Sequence, residues 1–278
     1  MIRICIALFF LFPVGLHAQT VVFDPSCKTA TWSESFHRFG NQERNRIFAD
    51  YGNLYNQSNA MNFGVALLGA GVVANTKMDS NFQRWYGNHI RSDFTHDFSK
   101  RAKIFGEGHI FIPVMTASAL TYRFWQEKQG GQPNCKLGDF TDRTFRGYLV
   151  GAPTLLVTQL ALGGDRPRDG ASYWRPFKQD HGVSGHAFMG AVPFITAAQM
   201  TDKPYAKGVL YALSTCTAWS RVDEDAHYLS QIALGWYLAY LSVRAVSETE
   251  GLKPLPKGLT IFPVSDDRWV GMGVHYQY

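Results

Sequence analysis

Charged residues make up only 18% of this 278-residue chain, and it holds four cysteines. Low charge beside a hydrophobic content of 46% excludes a disordered polyelectrolyte and points to a folded, well-buried protein. No concentrated basic stripe is present, so nucleic acid is not an expected partner. No internal repeat and no low-complexity segment occur. Several apolar runs approach the length of a membrane span, but polar residues interrupt them and the mean hydropathy is −0.15. A helix bundle is therefore expected, with peripheral membrane contact left open. The stretch Gly182-Val183-Ser184-Gly185-His186 does not match G-x-S-x-G, which sets aside a serine-hydrolase elbow. His181, His186 and Asp180 lack a known ligand spacing, so no metal site is expected.

The N-terminus has the pattern of a secretory signal: Arg3, an apolar run from Ile4 to Phe12, and small residues from Gly15 to Ala18. That run is too short for a span, which needs about 20 residues. Export to a periplasm or cell envelope is expected, and loss of Arg3 would lower the formal charge from +5 to +4. In an oxidising compartment Cys27 and Cys135, both in polar stretches, could pair, whereas Cys216 sits in an apolar run and reads as a free thiol.

The remaining chain divides into an N-terminal arm at 19–60, a helical domain at 61–250 and a tail at 251–278. The arm reads as extended, with a short helix from Asn41 to Tyr55. Helices are expected at His109–Trp125, with Pro113 in the first turn, and at Arg143–Leu162, ended by Gly163-Gly164. Asp165–Val183 is a long connection rich in Arg, Asp, Gly and Pro, of the kind that is often functional. Further helices are expected at His186–Met200, Tyr205–Trp219 and His227–Val246. Alternating apolar residues from Ile261 and again from Val270 suggest a strand pair or an extended wrap. The fold class is all-α, a helical bundle with a short extended or β-hairpin tail.

Chemistry concentrates in three islands between Gln159 and Gln231: Arg166-Pro167, Ser184-Gly185-His186, and Ser220-Arg221 followed by His227. Two guanidiniums suit the equatorial oxygens of a transferring phosphoryl group. A Ser-Gly pair can add a hydroxyl and a closely approaching N–H. Two histidines can divide nucleophilic attack and proton donation. Each island also has a plainer reading: Arg166-Pro167 as a helix exit, Ser184 as an N-cap, Arg221 as a surface cation. Their order and spacing favour the joint reading. His227 is expected in the first turn of a helix with Arg221 just before it. His37, His89, His96, His109 and His275 show no pairing and read as structural or exposed.

With these residues in view, the chain resembles the type-2 phosphatidic-acid phosphatase and haloperoxidase superfamily, whose signature is K-x6-R-P, P-S-G-H and S-R-x5-H. The third motif is complete here; Val183 replaces the proline of the second, and Gln159 the lysine of the first. The resemblance implies a helical bundle with its site at helix ends, and phosphatases without metal or other cofactor. It also implies His227 as nucleophile and His186 as proton donor, with Arg166, Arg221, Ser184 and Gly185 holding phosphate. Gln159 would give a neutral hydrogen bond where the family has a cation, with Arg168, Arg175 or Lys178 as substitutes. Gln231 stands where the family places the aspartate that orients the nucleophile, with Asp223, Glu224 or Asp225 as stand-ins. The implied activity is hydrolysis of phosphate monoesters or diphosphates, of a small molecule or a lipid. An impaired phosphate- or phospholipid-binding envelope protein and a vanadate-dependent haloperoxidase are the alternatives.

Overall fold

The computed structural model describes residues 32–128, 136–251, 260–266 and 269–275. The signal-like segment at 1–18 and the proposed Cys27–Cys135 pair lie outside the described residues. The helices are α1 (Trp32–Leu54), α2 (Gln57–Ala74), α3 (Met78–His89), α4 (Asp93–Ala102), α5 (Gly108–Lys128) and α6 (Lys136–Leu162). They continue with α7 (Gly185–Gln199), α8 (Pro204–Ser214), α9 (Cys216–Asp223) and α10 (Leu229–Thr249). A 3-10 turn, Lys103–Gly106, links α4 to α5. The tail contributes an antiparallel pair, β1 (Thr260–Asp266) and β2 (Trp269–His275), with Thr260 opposite His275. Among the described residues no helix is long and apolar enough to cross a membrane.

Several expected boundaries move. The arm is helical from Trp32, and α2 begins before residue 60. Pro113 lies in the interior of α5, beyond its first turn. Tyr205–Trp219 divides into α8 and α9, because the Thr215 N–H turns back to the Ala212 carbonyl. Asp165–Val183 remains an irregular connection, as its composition suggested.

The centre of the bundle is α7, which carries no Asp, Glu, Lys or Arg and is buried over most of its length, packed against α6, α8, α9 and α10. A helix buried on every side has no use for a polar face, which accounts for its composition. Val192, Ile195, Leu234, Leu238 and Val243 form the apolar core between α7 and α10. Two interior prolines each remove an N–H and leave the carbonyl four residues earlier without its helical donor. Pro193 does this to Met189, whose carbonyl accepts the Tyr148 hydroxyl at 3.1 Å. Pro153 does it to Leu149, whose carbonyl accepts the Tyr51 hydroxyl, also at 3.1 Å. Two tyrosines thus repair two proline defects and tie α6 to α7 and α1 to α6.

One end of the bundle is clamped by charge. The Arg146 side chain, 0% exposed, donates to Asp50 at 2.7 and 2.6 Å, to Glu250 at 2.5 Å and to Asp142 at 3.3 Å. Arg46 also pairs with Glu250, and Arg123 reaches Asp142 at 2.5 Å. This network joins α1, α5 and α6 to the end of α10.

The opposite requirement, close approach without side chains, is met at Gly235 of α10. A methyl group there would collide with the Ser184 carbonyl oxygen at the start of α7. Backbone cannot yield as a side-chain tip can, so Gly235→Ala is expected to cost about 1–3 kcal/mol. An unfolding midpoint equal to that of the parent would refute this contact.

Candidate active site

The three islands meet around Gln231 in the first turn of α10. Its Oε1 accepts the Tyr228 N–H at 3.1 Å, and its Nε2 donates to the Asp165 carbonyl at 3.0 Å. These two backbone contacts fix which way the amide points. The same Oε1 lies 2.9 Å from His227 Nδ1, so Nδ1 must carry the proton and Nε2 the lone pair. The Gln231 carbonyl also accepts the Ser184 N–H at 3.0 Å. One residue therefore touches Asp165, next to Arg166, Ser184 of the second island, and His227 of the third.

The five-residue spacing between Arg221 and His227 has a local cause. Arg221 lies in the last turn of α9, and its carbonyl accepts the N–H groups of Ala226 at 2.8 Å and His227 at 3.1 Å. The chain reverses through Asp225 at φ 49°, a left-handed conformation that a short polar side chain tolerates. Arg91 grips Asp225 with two bonds of 2.8 Å, and Gln83 adds a third of 2.6 Å. Contrary to the sequence expectation, Arg221 does not precede a helix but closes one, and His227 sits in the turn before α10. The helix N-terminus in the second island is that of α7, which begins at Gly185.

His227 is only 6% exposed, and its pKa is pushed down to about 3. Burial is the main cause; the bond to Gln231 opposes it, while Arg166, His181 and His186 add to it. The ring is thus neutral at ordinary pH. His186 is less enclosed, and its pKa is also lowered, by burial and then Arg221, with the Glu107 carboxylate pulling the other way. Its Nε2 lies 3.8 Å from Glu107 Oε1.

Among the cations, Arg221 is buried and held by Glu224 at 2.7 Å. The Nε of Arg166 is buried with no hydrogen-bond partner, an unmet donor beside His227. Ser184 is wholly buried, and its hydroxyl accepts the Ala187 N–H at 3.2 Å, so the helix-capping reading holds. Gln159 donates to the Val183 carbonyl at 3.0 Å, and its amide nitrogen lies 3.4 Å from where a Cβ on Gly185 would stand.

The proposed substitutes go elsewhere. Arg175 pairs with Asp165 at 3.1 Å, Arg168 lies 3.9 Å from Asp169, and Lys178 stands exposed on the connection. Asp223 takes the Tyr86 hydroxyl, Glu224 takes Arg221 and Lys103, and Asp225 takes Arg91; no bond to His227 is made by any of them. Three side chains absent from the motif reading belong to the neighbourhood. Glu107 faces His186, and Lys103 is near enough to depress that ring's pKa. His181, whose Nδ1 lies 2.9 Å from Asp180 Oδ1, meets the His227 ring edge-to-face at 6.2 Å between centroids. Their only sequence signals were the glycines flanking Glu107 and the proximity of His181 to the second island. His96 and His109, read as unpaired, each place Nδ1 3.4 Å from a carboxylate, of Asp223 and Glu107 respectively, and both are exposed as expected. Among the described residues no group of three His, Cys, Asp or Glu side chains is placed to hold a metal ion.

The helical bundle thus brings two histidines and two arginines to one largely enclosed junction. Residues 133–251 match the model of the PAP2 superfamily, whose members are broadly phosphatases. No curated protein and no solved structure matches the chain.

Proposed function

We propose that this protein hydrolyses phosphoric esters through a phosphohistidine on His227. The observation that carries the reading is the Gln231 amide, locked by backbone so that His227 must offer its Nε2 lone pair. In the first step Nε2 forms a bond to phosphorus and the bond to the ester oxygen breaks. His186 gives its proton to that leaving oxygen. In the second step water attacks phosphorus, His186 takes the water's proton, and the N–P bond breaks to release phosphate. Arg166, Arg221 and the N–H groups at the start of α7 stabilise the equatorial oxygens. Gln231 keeps the Nδ1 proton in place and adds no charge. No step calls for a metal. The substrates are phosphate monoesters or diphosphates, of a small molecule or a lipid, and the signal-like N-terminus supports action outside the cytoplasm.

A second reading, a phosphate binder without turnover, is favoured by the neutral Gln159, whose amide is engaged by Val183. Phosphate release from phosphatidic acid, an isoprenyl diphosphate and an aryl phosphate, with chelator present, separates the two. Binding without release from any of them would establish the binder.

The acid role of His186 has its own signature. Its proton must be present at the start, and Glu107 raises the pKa that burial lowers. Activity is expected to fall on the alkaline side as His186 loses its proton. Glu107→Gln is expected to move that limb to lower pH, since it removes the charge favouring the protonated ring. A pH–rate profile with an unmoved alkaline limb would show that Glu107 does not serve His186.

A further inference from the structure

A polar cleft of about 420 Å³ opens beside the candidate active site. Two of its lining residues are chain neighbours of site residues: Pro167 follows Arg166, and Tyr228 follows His227. Successive Cα atoms are only about 3.8 Å apart, so the cleft lining and the site share backbone at two points. The remaining lining includes Gln83, Arg84 and Arg91, with Arg168 and Asp225 from the two loops.

The charge in this cleft is unbalanced. Its lining contains three arginines against one carboxylate, and Asp225 is engaged by Arg91 through two bonds of 2.8 Å. Arg168 lies 3.9 Å from Asp169 with both side chains more than half exposed, a contact worth little. Arg84 is exposed, and the lining holds no second acid for it. Two buried polar atoms of lining residues, Gln83 Oε1 and Arg91 Nε, also have no partner. Uncompensated guanidiniums around a concave polar space are the usual apparatus for a carboxylate or phosphate. The cleft is unsuited to an acyl chain; the apolar groove, lined by Leu68, Val72 and Trp174, is a separate space.

We propose that this cleft is a second anion site, which takes the distal phosphate or carboxylate of a substrate whose scissile phosphoryl group lies against His227. The inference rests on the phosphatase reading and narrows its substrates to esters with two anionic groups, a diphosphate being the simplest. Arg84 and Arg168 supply the attraction. Arg91 orients the cleft and, through Asp225, the turn that carries His227.

Binding can be tested without turnover. Calorimetric titration of the full chain carrying His227→Ala would compare pyrophosphate with inorganic phosphate, before and after adding Arg84→Ala and Arg168→Ala. Pyrophosphate affinity is expected to fall about tenfold or more, as for loss of charge-assisted bonds, and phosphate affinity much less. With His227 intact, the ratio of kcat/KM for a diphosphate ester over the corresponding monophosphate should fall by a similar factor. Arg84→Lys should restore part of it. Equal losses for phosphate and pyrophosphate, or no loss for either, would overturn the second site. If no ester is hydrolysed while pyrophosphate keeps an arginine-dependent advantage, the phosphatase reading fails and the anion site stands. If hydrolysis depends on His227 but the advantage is absent, only the anion site fails.

Discussion

His227→Ala is expected to lower phosphate release by more than about 10⁴-fold while the fold persists, the scale seen when a covalent nucleophile is removed. The size follows from the geometry. Gln231 aims one imidazole, with its lone pair on Nε2, into a region bordered by Arg166 and His186. The His181 ring stands edge-on to His227 with 6.2 Å between centroids, so it is displaced from the position His227 occupies. A substitute nucleophile would have to be water, without the pre-set attack distance that an intramolecular group provides. Release assays paired with circular dichroism check the effect, and rapid acid quench with labelled ester looks for the phosphoenzyme. Residual activity within tenfold of the parent would eliminate His227 as the nucleophile.

Arg146→Met is expected to destabilise the protein by about 3–5 kcal/mol at neutral pH, because it leaves buried carboxylates without their shared cation. Methionine keeps much of the volume, so the loss reports charge and not a cavity. The effect should depend on pH. Burial alone would raise the Glu250 pKa, but Arg46 and Arg146 together hold it down to about 2 from an ordinary value of 4.5. A carboxylate with a depressed folded pKa stabilises fully above its unfolded pKa and loses that contribution as pH falls through the folded one. The parent should therefore lose stability between about pH 4.5 and 2. In Arg146→Met the carboxylates protonate more readily, so the gap between the two proteins should narrow over that range. Denaturant midpoints at pH 7 and pH 3 would show it. A gap below 1 kcal/mol at pH 7 would mean that Arg46 and Arg123 suffice.

How much of this was legible in the chain depends on the range of the interaction. Gly163-Gly164 ends α6 where expected, because a positive φ at Gly163 is a local demand that glycine satisfies. The Arg221–His227 spacing was legible as a motif but not as structure: a helix was expected to open there, whereas the chain closes α9 in a turn whose N–H groups fold back on one carbonyl. Local reasoning failed at Tyr205–Trp219, which divides into two helices near Thr215, where neither proline nor glycine stands. It failed again at the arm, whose first helix is secured by Arg46 and Asp50 reaching partners about a hundred or more residues away.

The sequence by itself determined the chemistry available: an all-helical chain, three islands with two histidines and two arginines, and neutral amides at positions 159 and 231. Only the tertiary structure decided how that chemistry is arranged. It showed Gln231 bonding to the second and third islands and to Asp165 beside the first, Glu107 facing His186, and the acids at 223–225 committed to partners other than His227. The physical reason is that motif spacing constrains backbone turns over a few residues. The partner of a charged or amide side chain is set by whichever groups packing brings within about 3–4 Å, whatever their distance along the chain.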